Sequence, residues 1–367
     1  MKVSIIIPTF RESDKLENLL NNLINDKYQE KEIISVIDEP TKKSLIISRK
    51  YKKNVEFILN KKRLGKVKAA NIAAKRSTGD ILFFIDSDNT IDNSKGSLLQ
   101  KILEQIDGYD YATLKIKVNK NSLISKMAHY DYVSAAFVNY IFSKFLKRTP
   151  VMSGQAFVMK KEVFNELGGF EQEVSEDLDL STKAFLKKMK FAYLKDLEVL
   201  NDNPESWKTW VKQRERWGIG TCLWIKKYFK PMMKNTVNYP HLFLSSFFTI
   251  FPTILLFLIN FILSKSILEK IIYSTLLLVP FKLIGALPVV FFIFSTITFV
   301  KSMILYLLAF VISCSMSFLT ARTMKYDFSL TEYMFYYFIY SPIALSVYVA
   351  SALKGLFISS DLKDWKV

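Results

Sequence analysis

The chain has 367 residues, half of them hydrophobic, with 51 Lys and Arg against 34 Asp and Glu for a formal net charge of +17. That length holds one soluble domain with a membrane portion, or two globular domains if no segment enters lipid. Two widely separated cysteines (Cys222, Cys314) and two histidines (His129, His241) exclude a disulfide framework and a histidine-rich zinc centre.

The amino-terminal run MKVSIIIPTFRES has only a short apolar stretch before polar residues and reads as a first strand rather than a signal peptide. DKLENLLNNLI then has apolar residues at helical spacing, EIISVIDEP reads as a second strand and KKSLIISRKY as a second helix. VEFILN, the alanine-rich helix KVKAANIAAKRS and the strand DILFFIDSD continue the alternation. Such βαβ units predict an α/β fold with a mostly parallel sheet covered by helices. Ligands of open sheets of this kind bind beyond the carboxyl ends of the strands. Three strands end in polar chemistry there: Pro8-Thr9-Phe10-Arg11-Glu12, Asp38-Glu39 and Asp86-Ser87-Asp88.

From Asn121 to Arg148 the chain is aromatic-rich with scattered lysines, which makes it a poor membrane span. An interfacial or groove-lining helix and a plain buried helix both fit. Further on, Asn203 and Pro204 read as the cap and first turn of a helix carrying Gln213-Arg214-Glu215-Arg216-Trp217. Positions 213, 216 and 217 share one helical face, which presents an amide, a guanidinium and an indole together. Trp207, Trp210 and Trp224 nearby are what a helix lying on a membrane surface carries.

From Leu242 onward four apolar runs, Leu242–Leu263, Ser274–Val300, Ser302–Ala321 and Tyr333–Leu353, reach the roughly 20 residues that span a bilayer. We therefore expect about four transmembrane helices. The predicted organisation is a catalytic domain over 1–200, an amphipathic interfacial region over 201–235, transmembrane helices over 241–354 and a tail over 355–367. The basic excess before residue 235 places the soluble part on the cytoplasmic side of a multi-pass plasma-membrane protein. The positive charge suits anionic lipid headgroups or a phosphate-bearing donor. No basic-aromatic RNA motif or helix-turn-helix pattern points to nucleic acid.

Two acidic groups carry the chemistry. Asp86 and Asp88 stand two apart at the end of a buried strand, so both carboxylates can face one ligand, and hard oxygens suit Mg²⁺ or Mn²⁺. A solvated acidic turn has the same sequence. In Ser175-Glu176-Asp177-Leu178-Asp179, Asp177 is a candidate general base, while an acidic helix amino terminus serving the macrodipole is the alternative.

In combination, Pro8 through Glu12, Asp38, Gly65-Lys66, Asp86-Ser87-Asp88, Ser153-Gly154-Gln155, Glu176-Asp177 and Gln213 through Trp217 form an ordered set. That set resembles the family 2 glycosyltransferases with a GT-A fold, especially the membrane branch of cellulose, chitin and hyaluronan synthases and ceramide glucosyltransferase. The resemblance implies inverting transfer from a nucleotide-sugar, a UDP-sugar first, to a hydroxyl of a lipid or growing glycan. It implies that Pro8, Thr9, Phe10, Glu12, Asp38, Lys66 and Asp86 bind the donor and that Asp88 ligates the metal. Ser153, Gly154 and Gln155 take the place of the acceptor loop, Asp177 with Glu176 that of the catalytic acids, and Gln213, Arg216 and Trp217 that of the diphosphate and acceptor signature. A bundle of four helices favours transfer of one or a few sugars. The competing readings are a polyprenyl-phosphate glycosyltransferase, against which the glutamine-to-tryptophan signature argues, and a nonenzymatic nucleotide-binding membrane scaffold or transporter.

Overall fold

The computed structural model describes residues 1–252 apart from 12, 93, 95, 203 and 205, together with 287–357. One eight-stranded sheet organises the soluble part, with strand order β3-β2-β1-β4-β7-β6-β8-β5. The strands are β1 (Val3–Phe10), β2 (Lys31–Asp38), β3 (Glu56–Asn60), β4 (Ile81–Ile85), β5 (Thr90–Ile91), β6 (Tyr111–Val118), β7 (Ala156–Lys160) and β8 (Phe191–Asn201). The predicted strands and helices of the first 90 residues all form.

The expectation of a mostly parallel sheet is corrected. Four pairings are parallel and three are antiparallel, because β7 enters against both β4 and β6 and β5 against β8. Early βαβ crossovers impose parallel pairing on β1 to β4, whereas β7 follows a long helical excursion and returns from the opposite end.

Helices cover both faces. Val3, Ile5 and Ile7 pack with α1 (Leu16–Ile24) and α4 (Leu98–Ile106), while Ile6, Ile34 and Phe84 pack with the alanines of α3 (Lys66–Arg76), with α6 (Lys161–Glu166) and with α7 (Glu176–Leu186). Period-2 alternation therefore buries both faces of β1, which is why Ile5, Ile6 and Ile7 follow one another without a polar residue between them. The helix α2 (Lys42–Lys50) completes this layer, opened by Thr41 in a capping box with Ser44.

The aromatic-rich segment forms α5 (Leu123–Leu146), capped by Ser122. It is a buried helix, packed against the sheet on one side and helices on the other. The next long helix, α8 (Trp207–Asn238), starts at Ser206, whose hydroxyl accepts from the Thr209 amide. The expected cap shifts accordingly, and Asn203 lies outside the described residues. Trp210 is fully buried and Trp224 donates its indole N–H to Thr182 at 2.8 Å, so these two serve the protein interior rather than a membrane belt.

The expected bundle of four spans changes. Within the first run, α9 (Pro240–Ile250) ends before Phe251-Pro252, since a residue preceding proline is driven out of helical conformation. Residues 253–286, which hold the rest of that run and half of the second, lie outside the described residues. The second and third runs meet at Lys301 inside one continuous helix, α10 (Leu287–Met324), with no glycine or proline near that lysine to break it. A last helix, α11 (Leu330–Phe357), includes a π-helical turn at Tyr336–Tyr340. Two stretches among the described residues, Met303–Met324 and Leu330–Phe357, are long and apolar enough to cross a membrane.

The turn between α10 and α11 docks onto the soluble domain. Lys115 donates to the Met324 carbonyl at 3.1 Å, Tyr326 to that of Ile116 at 2.8 Å, and the His129 Nε2–H to that of Asp327 at 2.9 Å. The apolar helices also pack on α5, where Ala321, Met324 and Tyr326 cluster with Val133 and Ala136.

Candidate active site

Parallel pairing gives way to antiparallel pairing at β4, which lies parallel to β1 and antiparallel to β7 and leads directly into Asp86. Ile85 pairs with Ala156, so the antiparallel β7 delivers Ser153, Gly154 and Gln155 to the same end. The Gln155 carbonyl accepts from the Asp86 amide at 2.9 Å and from the Asn89 side chain at 2.8 Å. Asn89 is itself fixed by Asn201 at 2.9 Å. Asn89 and Asn201 are buried ties that no sequence pattern announced.

A cavity of about 390 Å³ opens at this junction. It gathers Lys66, Asp86, Asp88, Ser153, Gly154, Gln155, Glu176, Asp177, Gln213, Arg216 and Trp217, which lie up to 151 residues apart (217 minus 66). A register shift between Leu114 and Lys115 in β6 opens the sheet beside Thr113, Leu114 and Ile116, and these line its inner part with Tyr132, Tyr193 and Tyr326.

Lys66 stands at the centre, at the start of α3. Its ammonium lies 2.7 Å from Asp86 and 3.3 Å from Glu176. Burial works against that charge, yet Asp86, Glu176 and Asp177 outweigh it and hold the ammonium above its ordinary pKa. For Asp86, burial dominates over Lys66 and pushes the carboxyl up to about 6, with Asp88 adding to the rise.

Asp177 occupies the first turn of α7. Its Oδ2 accepts from the Gly154 amide at 3.0 Å and its Oδ1 from the Leu178 amide at 2.8 Å. Burial and then the neighbouring Glu176 push its pKa up to about 6 against the pull of Lys66 and the two amides. Gly154 is required by this approach, since a Cβ there would stand 2.9 Å from Asp177 Cβ and Oδ2. The acidic stretch divides: Asp177 and Glu176 face the cavity, while Asp179 turns away to Lys227 at 2.7 Å and Lys183 at 2.9 Å.

Asp88 is exposed at the cavity and has no hydrogen-bond or ion-pair partner among the described residues. Arg216 likewise lines the cavity without an acidic partner among them. The tightest acidic cluster among the described residues is elsewhere, at Glu171, Glu173 and Asp179. Lys227 fills it, at 2.7, 2.8 and 2.7 Å. That group is an ion-pair network with its cation already supplied.

Of the remaining expected donor residues, Pro8, Thr9, Phe10 and Asp38 do not line this cavity. The buried Asp38 accepts from Asn60 Nδ2 at 2.9 Å and from the Leu64 and Gly65 amides at 2.9 and 2.8 Å, so it orders the loop that presents Lys66. Phe10 is exposed beneath the guanidinium of Arg63, 4.2 Å from its ring. Thr9 keeps a buried hydroxyl with no partner among the described residues, and Pro8 lines a small pocket beside Lys66. Glu12 lies outside the described residues.

Residues 4–168 match the family model described as glycosyl transferase family 2. A poly-beta-1,6-N-acetyl-D-glucosamine synthase of Staphylococcus aureus (strain MSSA476) is 25% identical over 59% of this chain and 54% of its own. The chain thus spans about half the length of that relative. The probable glycosyltransferase YdaM of Bacillus subtilis (strain 168) is 23% identical over 80% of this chain and 72% of its own. In fold the chain is similar to mannosyltransferase PcManGT from Pyrobaculum calidifontis, solved in complex with GDP-Man and Mn²⁺, with TM-score 0.52 and 18% identity over 68% of this chain and 72% of that one.

Proposed function

We propose, from the family 2 glycosyl transferase domain that this chain carries, that it is a membrane-embedded inverting glycosyltransferase moving a sugar from a UDP-sugar to a hydroxyl of a lipid or growing glycan. The observation that carries this reading is the convergence of Lys66, Asp86, Asp88, Gly154, Asp177 and Arg216 on one cavity. The name of the staphylococcal relatives makes N-acetylglucosamine the first sugar to test.

Asp177 is the base. A pKa of about 6 leaves it ionised at neutral pH and closer to the working pH than an ordinary carboxylate, which favours proton transfer. The Gly154 and Leu178 amides hold both its oxygens, so the carboxylate meets the acceptor in one orientation. It takes the acceptor proton as that oxygen attacks the anomeric carbon, and the bond to the nucleoside diphosphate breaks with its electron pair going to the phosphate. Lys66 and Arg216 are the cations placed to hold that diphosphate.

The donor set fits a divalent ion. Asp88 offers a carboxylate without a protein partner, Asp86 stands two residues away, and both are hard oxygen ligands of the kind Mg²⁺ and Mn²⁺ take. Such an ion, when bound, neutralises charge developing on the leaving diphosphate. The apolar α10 and α11 support a membrane-embedded chain, and this reading puts the catalytic domain on the cytoplasmic face, where nucleotide-sugars reside.

The test is a donor screen on the full chain in lipid with Mn²⁺, following nucleoside diphosphate release from UDP- and GDP-sugars with and without a membrane-lipid extract. Release from one donor that depends on the extract is the expected result. Tight nucleotide binding without release from any donor overturns the reading in favour of a nonenzymatic scaffold.

A further inference from the structure

The face of α8 turned away from the cavity holds a buried polar group that the mechanism above does not use. Trp210, Arg214 and Gly218 follow one another at helical spacing and are buried, whereas Gln213, Arg216 and Trp217 line the cavity. Arg214 is fully buried. Its Nη2 donates to Asp131 Oδ2 at 2.6 Å and to the Tyr340 hydroxyl at 3.1 Å. Tyr340 donates in turn to Asp131 at 2.7 Å and accepts from the Trp210 indole at 2.8 Å, while Tyr336 donates to the other Asp131 oxygen at 3.3 Å.

This network joins three elements: Asp131 on α5, Arg214 on α8 and the two tyrosines on α11. The π-helical turn at Tyr336–Tyr340 gives α11 the local winding that brings both hydroxyls to one carboxylate. Gly218 brings α8 and α11 into close contact, since a Cβ there would stand 2.6 Å from Ser351 Cβ.

Arg214 also reaches the cavity wall from behind. Its guanidinium lies 4.0 Å from the centre of the Trp217 ring, and Nη1 donates to Gln213 Oε1 at 3.4 Å. One planar cation therefore touches two of the four residues, Gln213, Arg216, Trp217 and Thr221, that α8 contributes to the cavity. Arg214 is fully buried while Asp131 keeps part of its side chain exposed in the cavity wall, and such a partly desolvated ion pair adds little net stability and a great deal of directional constraint.

We propose that Arg214, held by Asp131 and Tyr340, is a positioning residue for glycosyl transfer that sets Trp217 and Gln213 against Asp177, so that α11 fixes the geometry of the acceptor side of the site. This rests on the glycosyltransferase reading. Donor binding by Lys66 and the acids does not pass through this network, so the two halves of the site should separate in kinetics.

The experiment compares the wild type, Arg214→Lys, Tyr340→Phe and the exposed α8 control Lys212→Gln, each as the full chain in lipid. It measures kcat, the acceptor KM, the dissociation constant of the donor nucleotide and thermal stability. Arg214→Lys keeps the charge beside Asp131 but loses the flat stacking surface and the fork. We expect kcat to fall tenfold or more and the acceptor KM to rise, with nucleotide affinity within twofold of wild type. Tyr340→Phe should fall severalfold in the same pattern, and Lys212→Gln should match the wild type. Unchanged kcat and KM in Arg214→Lys overturn the inference, as does a loss of activity matched by equal losses of nucleotide affinity and folded protein in both variants. A wild type that transfers from no donor overturns the glycosyltransferase reading, and this inference with it.

Discussion

Replacing Asp177 by Asn should abolish transfer and at the same time relieve the folded state. The folded carboxyl titrates near 6, against about 4 in water, because burial and Glu176 disfavour its charge. Two pKa units correspond to roughly 3 kcal/mol, which is a ceiling because Lys66 and cavity water share in the screening; about 1 kcal/mol is the working expectation. Since the native pKa lies above the unfolded one, the native state binds the extra proton between about pH 4 and 6, and the stability it confers is lost as pH rises through 6. Asn does not titrate, so the stability gap between variant and wild type should be near zero at pH 4 and should reach its full size by pH 7. Turnover should drop by roughly two to four orders of magnitude for loss of a general base. Thermal melts at pH 4.5 and 7.5, beside nucleoside diphosphate release at saturating donor and acceptor, check both halves. A variant that transfers sugar at the wild-type rate would refute Asp177 as base; a variant destabilised equally at both pH values would refute the electrostatic account of its burial.

Three more outcomes follow from the same geometry. Lys66→Met removes the cation that holds the Asp177 pKa down, so the acid limb of the kcat/KM profile should move to higher pH, and donor KM should rise at least tenfold; an unmoved limb would separate Lys66 from the base. Asp88→Asn should raise the Mn²⁺ concentration needed for half-maximal rate tenfold or more, and chelation should silence the wild type reversibly, both read by titrating Mn²⁺ into chelator-treated protein. Gly218→Ala should lower stability by about 1–3 kcal/mol, because its new Cβ meets Ser351 Cβ at 2.6 Å, and adding Ser351→Gly should restore most of the loss in a thermal melt.

The site was legible where its chemistry is short and local. Asp86-Ser87-Asp88 at a strand end, Glu176-Asp177 at a helix start and Gln213, Arg216 and Trp217 on one helical face all line the cavity. What stayed hidden are the partners that hold these residues. Asn89 and Asn201 are 112 residues apart, and Asp131 is 83 from Arg214 and 209 from Tyr340. A single Asn or Asp within a helix or loop carries no periodic or motif signal, so only its three-dimensional neighbours reveal it. Asp38 shows the converse case, a recognisable acid whose oxygens the structure commits to Asn60 and to the loop between β3 and α3.

Hydrophobic periodicity and strand-end chemistry by themselves determined the α/β alternation, the cavity-bearing edge of the sheet and most of the polar cavity wall, because each is written within one turn or one strand of sequence. Pairing direction, helix continuity and the roles of α8 and α11 were decided by tertiary structure. Whether β7 runs with or against β4 depends on where a long excursion returns, and whether an apolar run faces lipid or a buried Arg–Asp pair depends on what packs beside it. These are properties of contacts made far along the chain, whose closure entropy and packing are absent from any local window.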